Sequence, residues 1–125
     1  MTDPRPPLLT AAETKPFVTL DGSTIRELMH PDRELCAAQS LAEARVAPGS
    51  RTIRHRHHRT EEFYHLQTGE GLMFLDDAAF PVGPGDTVAI APGRAHCIEN
   101  TGSGPLVFLC CCAPAYSDED TELLE

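Results

Sequence analysis

The sequence predicts an all-β fold, a barrel of short strands of the jelly-roll kind. Three observations carry that expectation. Turn signals built on glycine and proline recur along the chain, at Asp21-Gly22, Pro48-Gly49, Gly69-Glu70-Gly71, Gly83-Pro84-Gly85, Pro92-Gly93 and Gly102-Ser103-Gly104. Short runs of strand character lie between them, at 63–67, 72–75, 87–90, 97–99 and 106–112. With 125 residues and no evident internal repeat, the chain suits a single domain built on one core.

From the N-terminus, residues 1–13 read as a flexible arm, 14–116 as the barrel and 117–125 as an acidic tail. Residues 14–29 have the character of a strand-like arm. The segment 26–46 is divided: its Ala, Leu and Glu content favours helix. Pro31 breaks any long helix, however, and Ser40, Ala42, Ala44 and Val46 alternate with Leu41, Glu43 and Arg45 as a strand would. In the tail, five of nine residues are acidic, which reads as a solvated segment.

Two glycine-framed stretches concentrate the chemistry. The first runs from Gly49 through His55, His57 and Glu62 to Gly69; the second runs from Gly85 through Pro92-Gly93 and His96 to Asn100. In a β-strand, side chains at i and i+2 share a face, so His55 and His57 converge while Arg56 points away. By the same period Glu62, Tyr64 and Leu66 share one face, and His96, Ile98 and Asn100 another. Three imidazoles and a carboxylate suit one divalent first-row ion per chain: iron, manganese, zinc, nickel or cobalt. Glu62 is the expected carboxylate, and Glu61 takes its place if the strand slips by one residue. His58 replaces His57 only after a similar slip.

The other candidates are weighed against that set. Tyr64 has inward parity and serves either the core or a substrate, as a hydrogen-bond donor. His65 has outward parity, and His30 has no evident partner. Cys97 and Cys110 to Cys112 read as small buried hydrophobes without an activating base. Arg51, Arg54, Arg56 and Arg59 form a cluster that either steers an anion to the site or balances nearby acids. Leu66, Met73, Leu75, Val88, Ile90, Ile98 and Phe108 are candidates to line the cavity or fill the core.

Composition narrows the partners. A net charge of −9 argues against a nucleic-acid surface. The longest apolar run, 106–113, is far short of the ~20 residues that cross a bilayer. No signal peptide is visible, and five cysteines, three of them consecutive, suit reduced thiols; the expected compartment is cytoplasmic. A small organic molecule is the expected guest.

The stretches GSRTIRHRHHRTEEFYHLQTG (49–69) and GDTVAIAPGRAHCIEN (85–100) resemble the paired motifs of the cupin superfamily, with Ala91 standing where that family usually has proline. The resemblance implies a single double-stranded β-helix. It makes the segment before the first motif a strand, and an arm that crosses onto a partner barrel in a homodimer. It also implies metal-dependent chemistry on a small molecule, with iron as first choice and dioxygenase-like turnover ahead of a zinc or manganese isomerase, lyase or cyclase. In that chemistry Glu62 serves as a ligand and a proton acceptor, and Tyr64 assists. A non-catalytic binding or sensing role is the other alternative, since the fold does not name the reaction.

Overall fold

The structure, a computed structural model, describes residues 6–125, so the first five residues of the expected arm lie outside it. Two sheets face one another. One has the order β1 (Phe17–Val18), β2 (Thr24–Met29), β3 (Ser40–Val46), β10 (Leu106–Ala113), β5 (Glu61–Thr68), β8 (Thr87–Ile90). The other has the order β11 (Thr121–Leu123), β4 (His55–His57), β9 (His96–Asn100), β6 (Gly71–Leu75), β7 (Ala78–Val82). All the paired strands are antiparallel. This is the double-stranded β-helix, and each of the five strand runs read from the sequence falls within a strand. No helix among the described residues is long and apolar enough to cross a membrane.

The divided segment resolves as two strands around a 3-10 turn at Pro31–Arg33. His30 caps that turn, its Nδ1 accepting from the Asp32 backbone N–H at 3.0 Å, while its Nε2 donates to the Tyr116 carbonyl at 2.7 Å. Helix propensity loses here because β3 pairs on both sides, with β2 and with β10. Residues 14–29 run along the chain's own barrel, Phe17 opposite Ile25 on β2. The end of the expected N-terminal arm is a 3-10 turn, Ala11–Glu13, whose Glu13 carbonyl accepts from Arg33 at 2.8 Å.

Two strands went unanticipated. β7 contains Pro81, which argues against a strand interior but is tolerated here because β7 is an edge. β11 lies in the segment expected to be a solvated acidic tail. That expectation is corrected: Thr121, Glu122 and Leu123 pair with His57, Arg56 and His55. Glu122 and Glu125 are bound by Arg56 and Arg51, so part of the tail's charge is matched by cations of the neighbouring segment.

Alternation along the strands builds the core. Leu66, Met73, Ile98, Leu106 and Phe108 are essentially inaccessible to solvent. Full burial of such side chains contributes about 1.5–3 kcal/mol each. Asn100 closes one end, donating to the Val46 and Gly104 carbonyls and accepting from the Gly102 N–H.

Candidate functional site

β4 is three residues long and presents His55 and His57 to the interior, with Arg56 turned outward onto Glu122. The pairing of β4 with β9 sets His55 opposite His96. β5 enters with Glu61 exposed, Glu62 buried, Phe63 exposed and Tyr64 buried, so the register sends Glu62 inward and leaves Glu61 outside. The Pro92-Gly93 turn is tied to the site directly, the Gly93 N–H donating to the His57 carbonyl at 2.6 Å. One ligand-type atom from each of His55, His57, Glu62 and His96 lies within 4.8 Å of the others, and all four residues are buried.

The hydrogen bonds define the tautomers. His55 Nδ1 faces the Ile53 carbonyl at 2.8 Å and His96 Nδ1 faces the Arg94 carbonyl at 3.0 Å. A carbonyl only accepts, so both Nδ1 atoms carry the proton. His57 Nδ1 lies 3.0 Å from the Thr121 hydroxyl, which itself donates to the Ser117 carbonyl at 2.8 Å. That hydroxyl therefore accepts from His57. In their neutral forms all three rings turn an Nε2 lone pair toward the centre.

Glu62 Oε1 sits 3.2 Å from His57 Nε2 and 3.5 Å from His96 Nε2. Its other oxygen accepts from the Cys112 thiol at 3.3 Å. Glu62 Oε1 and His96 Nε2 are buried without a hydrogen-bond partner. Burial by itself would push the Glu62 carboxyl up, but His57 and His96, which donate to it from Nε2 whenever a proton resides there, hold it well below the usual carboxylate range. Burial, then the neighbouring His96, lowers His55 from its ordinary value and favours the neutral ring. Converging lone pairs beside a buried ionised carboxylate repel one another, and a shared proton or a bound cation among them relieves that repulsion. The donor set fits a divalent ion, and the four residues can hold one.

Above the cluster opens a cavity that reaches the surface. Ile25, Ala42, Ala44, Phe108, Cys110 and Cys112 supply the apolar wall. Asp21, Glu27, Tyr64, Tyr116 and Thr121 supply polar groups. Of the seven apolar residues weighed as lining, Phe108 reaches this cavity. The other six, Leu66, Met73, Leu75, Val88, Ile90 and Ile98, pack into the core instead. Burial, then the nearby Glu62, pushes the Tyr64 phenol well above its ordinary value, so it stays a neutral donor. The same two causes raise the Cys110 and Cys112 thiols, which keeps them protonated and unreactive.

The arginine cluster lies outside the cavity. Arg51 pairs with Glu125 at 2.7 Å, Arg56 with Glu122 at 2.8 Å, and Arg54 donates to the Asp76 carbonyl; none of the four arginines lines the cavity. His58 is exposed, and His65 bonds the Thr87 hydroxyl on the outer face. Sequence reasoning missed Thr121, Cys112, Asp21 and Glu27 as cavity residues. Alternation along β10 was a usable signal for Cys110 and Cys112, whereas the tail offered none for Thr121.

Comparison with known proteins gives a consistent picture. A family model described as a cupin domain matches residues 42–112. An uncharacterized protein of Methanocaldococcus jannaschii is 53% identical over 111 residues, 89% of each chain. An oxalate-binding protein of Thermotoga maritima is 33% identical over 84 residues, 67% of this chain and 65% of that one. The crystal structure of a predicted oxalate decarboxylase from Thermotoga maritima superposes with a TM-score of 0.72 at 26% identity, over 86% of this chain and 98% of that one.

Proposed function

This chain belongs to the cupin domain family, and from that premise we propose that it is a metal-dependent enzyme acting on a small organic molecule. The observation that carries the proposal is the buried, unpartnered pair Glu62 Oε1 and His96 Nε2, facing the Nε2 atoms of His55 and His57 inside a cavity open to solvent. His55, His57, Glu62 and His96 would hold one divalent ion, with iron the first choice and manganese, zinc, nickel or cobalt the others. Bound there, such an ion supplies Lewis acidity toward a substrate oxygen and, if redox-active, electrons for dioxygen chemistry.

The chain's own groups do the rest. Cys112 occupies Glu62 Oε2 and leaves Oε1 to face the centre. Thr121, Ile53 and Arg94 hold the three Nδ1 protons outward. Tyr64, neutral and beneath the cavity, donates a hydrogen bond to a bound substrate. The apolar wall from β3 and β10 excludes water around the reacting part of the guest.

Oxygen-dependent, dioxygenase-like turnover of an enol, catechol or keto acid is the first reading. A non-redox lyase or isomerase is the second, supported by the likeness to a predicted oxalate decarboxylase. A binding role without turnover draws its support from the 33% identical oxalate-binding protein. Elemental mass spectrometry on untagged protein, followed by an oxygen electrode with enols and catechols, separates them. About one iron per chain with substrate-dependent oxygen uptake is the expected result. Zinc or manganese with substrate loss but no oxygen uptake transfers the proposal to the lyase. Metal with no turnover of any tested substrate leaves binding, and absence of metal after reloading removes the proposal. We further propose a cytoplasmic homodimer that pairs through the exposed Phe17 and Val18 of edge strand β1. A sedimentation mass of a single chain would remove that part.

A further inference from the structure

The cavity contains more negative charge than the metal cluster requires. Asp21, in the turn between β1 and β2, and Glu27, on β2, both line it together with Glu62. Ser23 fixes the Asp21 carboxylate, its backbone N–H and hydroxyl both donating to Oδ1 at 2.9 and 2.6 Å. Asp21 is therefore held in place and not free to swing into solvent. Among the described residues no lysine or arginine lines the cavity, and the nearby arginines Arg51 and Arg56 are engaged by Glu125 and Glu122 outside it.

We infer that this cavity selects uncharged or cationic small molecules and rejects anions, with Asp21 and Glu27 as the residues that set the preference. The charge count gives the reason. Three carboxylates contribute −3 and a divalent ion +2, so the occupied site is at −1 before any ligand arrives. An anion replaces neutral water beside that ion only by adding to the surplus, in a cavity whose apolar wall keeps the local dielectric low. A hydroxyl or amine group on the guest, by contrast, finds acceptors in Asp21 and Glu27 while another polar atom turns to the cluster. Oxalate, a dianion, is then a poor ligand for this chain despite the relative named for binding it. The inference rests on the metal-site proposal above and narrows its substrate class.

Cobalt-loaded full-length protein supplies the test, with ligand binding read from the visible spectrum at about pH 8. Azide is the anionic probe, oxalate the dianionic one and imidazole the neutral one. In the double variant Asp21→Asn, Glu27→Gln, azide affinity is expected to rise roughly tenfold and oxalate affinity by more, while imidazole affinity stays within about twofold. Imidazole acts as the internal control for an intact site. If the double variant takes up no cobalt, the single variants are read in the same way, each with a smaller gain. Azide and oxalate affinities that do not change while cobalt uptake is normal overturn the inference alone. Wild-type protein that takes up no cobalt, and so shows no spectrum, overturns the metal-site proposal and this inference with it.

Discussion

Each histidine of the cluster commits its Nδ1 proton to an oxygen behind it, so each offers Nε2 forward. That arrangement separates the cluster from the other histidines. His55→Ala, His57→Ala and His96→Ala are each expected to abolish metal retention by elemental mass spectrometry, while His58→Ala and His65→Ala retain it. Glu62→Gln should weaken retention and Glu61→Gln should not, because Glu61 is exposed; the reverse pattern would mean that the strand register is wrong. Thr121 is a positioning residue that acts through His57. Thr121→Val is expected to lower metal affinity about 10- to 100-fold, and Thr121→Ser to restore it, while the metal-free valine variant, which also loses the bond to the Ser117 carbonyl, still melts cooperatively. Equal affinity in the valine variant would mean that the hydroxyl does not orient the ring.

Among the elements, parity did the positioning. Because side chains alternate with period two, one residue known to face inward fixes its whole strand, as Glu62 did for Tyr64 and Leu66. Turns fix where each alternation starts, and Gly69 shows how tightly. Its φ is 88°, and a Cβ there would lie 2.6 Å from the Pro105 carbonyl oxygen. Gly69→Ala should therefore cost about 1–3 kcal/mol in chemical denaturation. Gly83→Ala, with no atom within 4 Å of the added Cβ and no positive φ, is the control and should be near neutral. β7 and β11 escaped the sequence reading for different reasons: Pro81 masks an edge strand, and acidic residues mask a strand whose partners lie more than sixty residues earlier.

For the molecule as a whole, the buried cluster ties stability to pH. Burial depresses the folded-state value of His55 below its ordinary 6.5. Its contribution is present above that pH and is lost as the pH falls through the depressed value. Glu62, also depressed, adds a loss at lower pH still. The thermal midpoint of metal-free protein is expected to fall on acidification below about pH 6.5. Metal-loaded protein should fall more steeply, because protonated histidines release the ion. A midpoint that rises between pH 7 and pH 5 would contradict both expectations. The exposed pairs Arg94–Asp76 and Arg51–Glu125 contribute little to this dependence because solvent screens them.

The sequence by itself determined the fold class, the inward parity of His55, His57, Glu62 and His96, and the preference for Glu62 over Glu61. Two-residue periodicity and turn chemistry at glycine and proline supply the strands and their shared faces, and the spacing of the motifs that resemble those of cupins chooses the inward face and Glu62. Only the tertiary structure decided which surface walls the cavity, that Arg51 is drawn to Glu125 outside it, and that the C-terminal strand reaches back to hold His57. Those facts depend on which strands become neighbours. Cys112 lies opposite Glu62, and Thr121 opposite His57, through pairings of residues fifty or more positions apart. No local pattern specifies such pairings, because they result from the closure of the two sheets around a shared core.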